Sequence, residues 1–259
     1  MIEFYNFSFF YPEGFGLKNI NLKLNSGEFL LVAGRSGCGK TTLLRCINGL
    51  IPKYYKGEYI GEVIVDGLKV KDCNISDLPV ATLFQNPDHQ LFMFSVEREI
   101  AFGLENLGLN LKEMRERVEW ALDFFKIKDL AKRAPYELSE GQKQRVALAS
   151  LLVMKPKILL LDEPTSLLDP TTSLQLAQLL KELKGKLTII VAEHKLELFA
   201  SLADKILILQ DGKIKAYGNI REVLKRNDLG ISLPPLLELS LLLKIPPSFN
   251  LEEFLENLR

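Results

Sequence analysis

Phe29-Leu30-Leu31-Val32-Ala33-Gly34-Arg35-Ser36-Gly37-Cys38-Gly39-Lys40-Thr41-Thr42 is an apolar run of five residues that enters a glycine-rich loop ending in Lys-Thr-Thr. An apolar run of that length bounded by glycine reads as a buried strand, and the pattern from Lys40 onward reads as a helix. Strand, loop, helix is the setting a phosphate-binding loop requires. Gly34, Gly37 and Gly39 let the backbone wrap closely enough for successive N–H groups, those of Arg35, Ser36 and Cys38 among them, to point at phosphate oxygens. Lys40 is then placed to neutralise the β- and γ-phosphates of a nucleotide, Thr41 to ligate Mg²⁺ and Thr42 to bond a further phosphate.

A second apolar run, Ile158-Leu159-Leu160-Leu161-Asp162-Glu163-Pro164, ends in two carboxylates. Buried carboxylates are costly unless a cation or a reaction uses them. Asp162 is the expected Mg²⁺ partner, through Thr41 or water, and Glu163 the expected general base for an attacking water. Upstream, residues 2–25 alternate apolar and polar, most clearly in Ile20-Asn21-Leu22-Lys23-Leu24, which predicts antiparallel strands with one solvated face. Asp66-Gly67 and Asp211-Gly212 each predict a tight hairpin.

Between residues 87 and 154 the period becomes helical, with helices expected over 96–107, 112–125 and about 141–154. Strands expected at 157–161 and 187–192 then alternate with a helix over 171–183, which implies parallel strands with crossover helices. The fold class is therefore α/β: a P-loop NTPase core, an N-terminal antiparallel β subdomain and an inserted helical subdomain. Residues 1–226 make the nucleotide-binding domain. The extension from about Asn227 to Arg259 carries Leu233, Leu236, Leu237, Leu241, Leu242 and Leu243 among Pro breaks. It is too apolar for a free tail and is expected to form short helices holding two such domains together; packing back on its own domain is the alternative.

With 259 residues, 47% of them hydrophobic, the chain can bury a substantial core. Lys+Arg and Asp+Glu balance at 33 each, so no basic excess points to nucleic acid as a partner. Cys38, Cys46 and Cys73 form no CxxC pair, have no histidine at zinc-ligand spacing and leave an odd count for disulfides, which fits a reducing cytosol. Met1-Ile2-Glu3-Phe4-Tyr5 does not resemble a signal peptide, and the most apolar stretch, residues 233–243, is broken by Pro234, Pro235 and Glu238, so no membrane span is expected.

Between the phosphate loop and the acidic strand end stands Leu138-Ser139-Glu140-Gly141-Gln142. This ordered trio resembles the ATPase domain of ABC transporters, over residues 2–224. The resemblance implies ATP and Mg²⁺ as cofactors and two domains facing head to tail, with Ser139, Gly141 and Gln142 reaching the γ-phosphate of the partner's ATP. Glu140 replaces the first glycine of the usual Leu-Ser-Gly-Gly-Gln, so its carboxylate either points to solvent or weakens the composite site. The same resemblance makes Gln85 a contact to Mg²⁺ and the lytic water, His194 the switch histidine that holds the γ-phosphate and that water, Asp169 a residue that sets geometry across the dimer, and Tyr11 the ring that stacks on adenine. Taken singly, Gln85 reads as a loop residue, His194 as a structural histidine and Tyr11 as strand packing beside Phe7, Phe9 and Phe10.

Phe84-Gln85-Asn86-Pro87-Asp88-His89-Gln90-Leu91-Phe92, with Ser95-Val96-Glu97-Arg98-Glu99-Ile100-Ala101-Phe102-Gly103 following, resembles the ATPase subunits of energy-coupling factor importers of vitamins and metals, the cobalt and nickel group included. That implies a second ATPase chain, identical or related, a transmembrane coupling subunit, a substrate-binding membrane subunit and a peripheral place at the cytoplasmic face of the membrane. Asp88, Phe92 and Phe94 are candidates for the docking groove; the plainer reading puts both phenylalanines in the core of the helical subdomain. The rival readings are the ATPase of another ABC transporter class and a soluble ABC ATPase, which would carry a second domain or long heptad arms. A small-molecule P-loop kinase would lack residues 138–142 and His194.

Overall fold

The alternation of residues 2–25 becomes two strands, β1 (Ile2–Phe10) and β2 (Gly16–Leu24), in a computed structural model that describes residues 1–226 and 228–258. Asn227 and Arg259, the two ends assigned to the extension, lie outside the described residues. Phe4, Phe7 and Phe9 of β1 and Leu17, Ile20, Leu22 and Leu24 of β2 are buried together. β3 (Phe29–Ala33) leads into α1 (Lys40–Ile47) and the one-turn α2 (Leu50–Lys53). β4 (Glu58–Val65) and β5 (Leu68–Lys69) complete a four-stranded antiparallel sheet in the order β2-β1-β4-β5. Its Asp66-Gly67 turn places both residues at positive φ, 50° and 84°, the twist a two-residue hairpin needs.

β6 (Val80–Leu83) is followed by the helical subdomain: α3 (Val96–Asn106), α4 (Leu111–Phe124) and α5 (Glu140–Leu152). These bounds lie within two residues of those expected. α5 starts at Glu140 because Ser139 and Gln142 close a capping box, the Ser139 hydroxyl accepting from the Gln142 N–H at 3.4 Å and the Gln142 Oε1 from the Ser139 N–H at 3.0 Å.

The chain then returns through β7 (Ile158–Asp162), α6 (Pro170–Leu183), β8 (Thr188–Ala192), β9 (Lys205–Gln210) and β10 (Lys213–Asn219). A six-stranded sheet forms in the order β10-β9-β3-β8-β7-β6, parallel except for the edge hairpin of β9 and β10. Every residue of β3, β7 and β8 is buried, which is why these strands read as unbroken apolar runs. A buried leucine such as Leu160 contributes about 2 to 3 kcal/mol by leaving water.

β3 pairs with β8, β8 with β7 and β7 with β6, so the carboxyl ends of four parallel strands stand side by side. Ligand sites in open parallel sheets form at this edge.

The extension forms α8 (Pro235–Leu242) and α9 (Leu251–Asn257) after the short α7 (Ile220–Val223). It docks on its own domain: Leu229, Leu237 and Phe249 join the main core, and Arg221 of α7 pairs with Glu253 at 2.6 Å and lies over the Phe249 ring. A second face stays outward, with Leu239, Leu242, Leu243, Leu251, Leu255 and Leu258 exposed. Among the described residues no helix is long and apolar enough to cross a membrane.

Candidate functional site

The phosphate loop leaves β3 with Gly34 at φ 149°, where a Cβ would stand 2.4 Å from the Leu209 carbonyl oxygen, so only glycine lets the loop turn against β9. Lys40 opens α1 and its side chain folds back into the loop, donating to the Gly34 carbonyl at 3.0 Å and lying near the Arg35 carbonyl at 3.5 Å. Its ammonium, 4% exposed, also lies 3.1 Å from His194 Nε2 and 3.6 Å from Glu163 Oε1.

Glu163 follows the last residue of β7 in left-handed backbone, φ 45°, a conformation that costs a non-glycine residue about 1 to 3 kcal/mol and gathers at functional sites. That turn aims its carboxylate across the strand ends, where Oε1 lies 2.9 Å from His194 Nε2 and Oε2 accepts from the Gln85 amide at 3.2 Å. Thr41 donates to Asp162 Oδ1 at 3.1 Å. Six of the expected site residues, Lys40, Thr41, Gln85, Asp162, Glu163 and His194, therefore meet at one sheet edge. Beside them lies an open cleft of about 680 Å³ whose lining includes Thr41, Arg45, Tyr55, Gln85 and Asp162, a size that suits a small-molecule ligand.

Burial raises the Asp162 pKa, and the negative Glu163 adds to the effect against the Thr41 hydrogen bond. The residues present fit Mg²⁺: the Thr41 hydroxyl, the Asp162 carboxylate and the Gln85 amide oxygen are hard donors. Among the described residues there is no cluster of three or more His, Cys, Asp or Glu that could hold a metal. The folded chain holds the Asp162 proton more tightly than the unfolded chain, so ionised Asp162 costs stability that is absent at acid pH and sets in as pH rises. Asp162→Asn is expected to raise the nucleotide-free melting temperature near pH 7 by about 2 to 4 °C, a gain that shrinks toward pH 4. Calorimetry without Mg²⁺ checks it; a lowered melting temperature at pH 7 would contradict it.

Other expected residues stand apart from this cluster. The side chains of Ser139 and Gln142 are engaged with each other's backbone in the capping box. Gly141 has an internal reason to be glycine, since a Cβ would lie 2.7 Å from Thr172 Cγ2 on α6. Asp169 caps α6, accepting from the Thr172 N–H at 3.0 Å and its hydroxyl at 2.5 Å, which holds its carboxyl below the usual range. Thr42 is buried on α1.

Tyr11 does not present its ring. It is 9% exposed, its hydroxyl accepts from Arg45 at 3.3 Å, and one face is covered by Phe15, stacked at 4.6 Å between ring centroids. Phe15, 57% exposed, is the ring the loop shows to solvent. The reason is steric: Tyr11 fills the space between Phe9 and Tyr55, so the next aromatic residue lies over it. Gly16, the neighbour of Phe15, abuts Gly212, whose N–H donates to the Cys38 carbonyl, so this aromatic pair borders the phosphate loop.

Glu140 is neither free in solvent nor uncompensated. Lys143, one turn along α5, pairs with it at 2.9 Å and with Asp88 at 2.8 Å, and the Lys143 pKa rises through its bonds to Asp88 and then Glu140. Asp88 is thus tied to the Ser139 helix and is not an unoccupied acidic socket. The phenylalanines are outside the core: Phe94 is 82% exposed, and Phe92, also exposed, packs edge-on against Phe102 at 5.0 Å. Buried Glu99 of α3 sets this loop by accepting from the Phe92 and Met93 N–H groups at 2.9 and 2.8 Å. Phe15, Glu99 and Lys143 are the residues that sequence reasoning missed. Phe15 had a signal in its closeness to Tyr11, and Lys143 one in its i,i+3 spacing from Glu140; the Asp88 contact of Lys143 and the backbone contacts of Glu99 come from the way the loop folds over the helices.

The sequence signature of the ABC transporter family matches residues 17–166. The energy-coupling factor transporter ATP-binding protein EcfA2 of Caldanaerobacter subterraneus subsp. tengcongensis is 39% identical over 279 aligned positions, covering 99% of this chain and 96% of that protein. Among solved structures, cbiO1 of Clostridium perfringens, part of the ABC transporter complex cbiONQ, superposes with a TM-score of 0.79 at 33% identity, covering 94% of this chain and 95% of that one. A dimeric ATP-binding cassette in a post-hydrolysis state, bound to ADP and Pi, superposes with a TM-score of 0.73 at 30% identity, covering 85% and 99%.

Proposed function

Because the chain belongs to the ABC transporter family of ATPases, we propose that it is the ATP-binding subunit of an energy-coupling factor importer, hydrolysing ATP in a head-to-tail dimer to drive uptake of a vitamin or transition metal. The observation that carries the hydrolytic part is the meeting of Lys40, Glu163 and His194 within 3.6 Å of one another. Lys40, with the backbone N–H groups of residues 34–39, holds the β- and γ-phosphates; Glu163 takes the proton of the attacking water; His194 and Gln85 position that water. Mg²⁺, held by Thr41 and Asp162 and within reach of Gln85, supplies positive charge against the phosphate oxygens. Ser139, Gly141 and Gln142, apart from their own Lys40 cluster, close on the nucleotide of a second chain, identical or related, and Asp169 borders that contact.

The purine stacks on the outward face of Phe15, with Tyr11 beneath as its support. Phe15→Ala is expected to weaken ATP binding by about 5- to 20-fold, in line with about 1 to 2 kcal/mol for a base stacked on an aromatic side chain. Titration with a fluorescent ATP analogue checks this; equal affinity in the variant would return the base to Tyr11.

The exposed Phe92 and Phe94, braced by Glu99, support a docking role toward a transmembrane coupling subunit, since exposed large aromatics in a fixed loop mark interaction sites. A substrate-binding membrane subunit completes the assembly at the cytoplasmic face of the membrane. The outward leucines of α8 and α9 support a contact between two ATPase chains. The test is purification of the tagged chain from detergent-extracted native membranes. Phe92→Ala/Phe94→Ala is expected to lose the membrane subunits and keep the ATPase rate of the free chain, and truncation after Arg226 to leave an ATP-binding monomer. Retained membrane subunits in the first, or a nucleotide-free dimer in the second, would overturn the corresponding contact.

A further inference from the structure

We propose that Glu193 is a positioning residue that joins the loop of His194 to the loop leaving Glu163, making them one mechanical unit. The inference rests on the roles given above to Glu163 and His194. Glu193 follows β8 and is 3% exposed. Its Oε1 accepts from the His194 N–H at 2.8 Å and lies 3.4 Å from the Lys195 N–H; its Oε2 accepts from the Thr165 hydroxyl at 2.8 Å and the Thr165 N–H at 3.3 Å. Among the described residues it forms no ion pair, so these N–H and O–H donors replace the water its charge has lost.

The donors come from two loops, and each loop carries a residue of the hydrolytic cluster. Thr165 stands two residues beyond Glu163, and His194 donates its own backbone N–H. The two strand ends are already in register, Asp162 opposite Ala192, with the Glu163 N–H donating to the Ala192 carbonyl at 2.8 Å. Glu193 extends that link past the sheet. On the far side, buried Gln144 of α5 donates to the Pro164 carbonyl. A polar path therefore runs from the helix capped by Ser139, through Pro164, Thr165 and Glu193, to His194 beside Glu163 and Lys40.

An aliphatic residue at 193 would fill the space without the cost of burying charge, but it could not accept from two loops at once. Since none of the described contacts of Glu193 reaches the phosphate loop side chains, its loss should disturb alignment of the water more than capture of the nucleotide.

Glu193→Ala, Glu193→Gln and Thr165→Val are compared with Glu163→Gln in the full chain. The measurements are binding of Mg²⁺ and N-methylanthraniloyl-ATP, steady-state turnover, melting temperature and the NMR signal of the His194 ring, told from His89 with a His89→Asn chain. Expected for Glu193→Ala are affinity within about twofold and kcat lower by about 10- to 100-fold, the scale of small misplacements in a reacting site. Smaller losses are expected for Glu193→Gln and Thr165→Val, with the His194 signal moving toward that of a free imidazole. Turnover within twofold of the unaltered chain in a folded Glu193→Ala overturns the inference. If that variant melts early, Glu193→Gln and Thr165→Val decide: wild-type turnover with an unmoved His194 signal overturns it equally. Normal turnover in Glu163→Gln instead means that the reading of the hydrolytic site has failed.

Discussion

Glu163→Gln is expected to bind Mg·ATP with unaltered affinity and to turn over about 10² to 10⁴ times more slowly, which corresponds to about 3 to 5 kcal/mol of barrier. Glutamine keeps the shape of the side chain and one acceptor oxygen, so the contacts to His194 and Gln85 have counterparts, but it cannot take a proton from water. The phosphate loop is untouched, because Lys40 is also held by the Gly34 carbonyl at 3.0 Å. Without hydrolysis, ATP should accumulate in a closed dimer. Parallel measurement of turnover, nucleotide binding and sedimentation tests this, and a purified variant that keeps most of the normal rate would remove Glu163 from the role of base.

The second large effect is complementation between two inactive chains. Lys40→Ala removes the buried ammonium to which the proposed function gives the phosphates, and Ser139→Arg places a bulky cation on the exposed tip of α5 at the cost of its helix cap, about 1 kcal/mol. Each alone should fall to background. In a head-to-tail dimer, a mixed pair combines the Lys40 of one chain with the Ser139 of the other, so one composite site in each mixed dimer is intact. Mixing the two purified variants should restore a substantial share of turnover. Activity that stays at background, with mixed dimers demonstrated by mass, would mean that Ser139 does not act across the dimer.

Much of the fold was legible because it is written in short-range pattern. The unbroken apolar runs of β3, β7 and β8 follow from burial on both sheet faces, the Asp-Gly hairpins from backbone that needs positive φ, and the phosphate loop from glycines that let the chain turn sharply. Such features need only a few neighbouring residues, so spacing reports them. The extension was legible by half: its leucines predicted helices, but one set is spent on its own core and another is left outward, a division set by the surface already present beneath it.

What only the tertiary structure decided is which groups come into contact once the elements are assembled. The sequence left Glu140 either facing solvent or weakening the composite site; in the fold its carboxylate pairs with Lys143, which Asp88 also holds from another element. Tyr11 matched a stacking position, yet packing against Phe9 and Tyr55 buries it and hands the exposed face to Phe15. Glu193 gave no sign beyond standing next to His194; its role arises from Thr165, 28 residues away, meeting it at adjacent strand ends. Hydrogen bonds and ion pairs act only over a few ångströms, so which groups they join is set by the assembled sheet. The sequence alone therefore determined which elements form and where the glycine-rich loop and the acidic strand end stand, and the tertiary structure decided which charges are compensated, which ring is presented and which loops are bonded to each other.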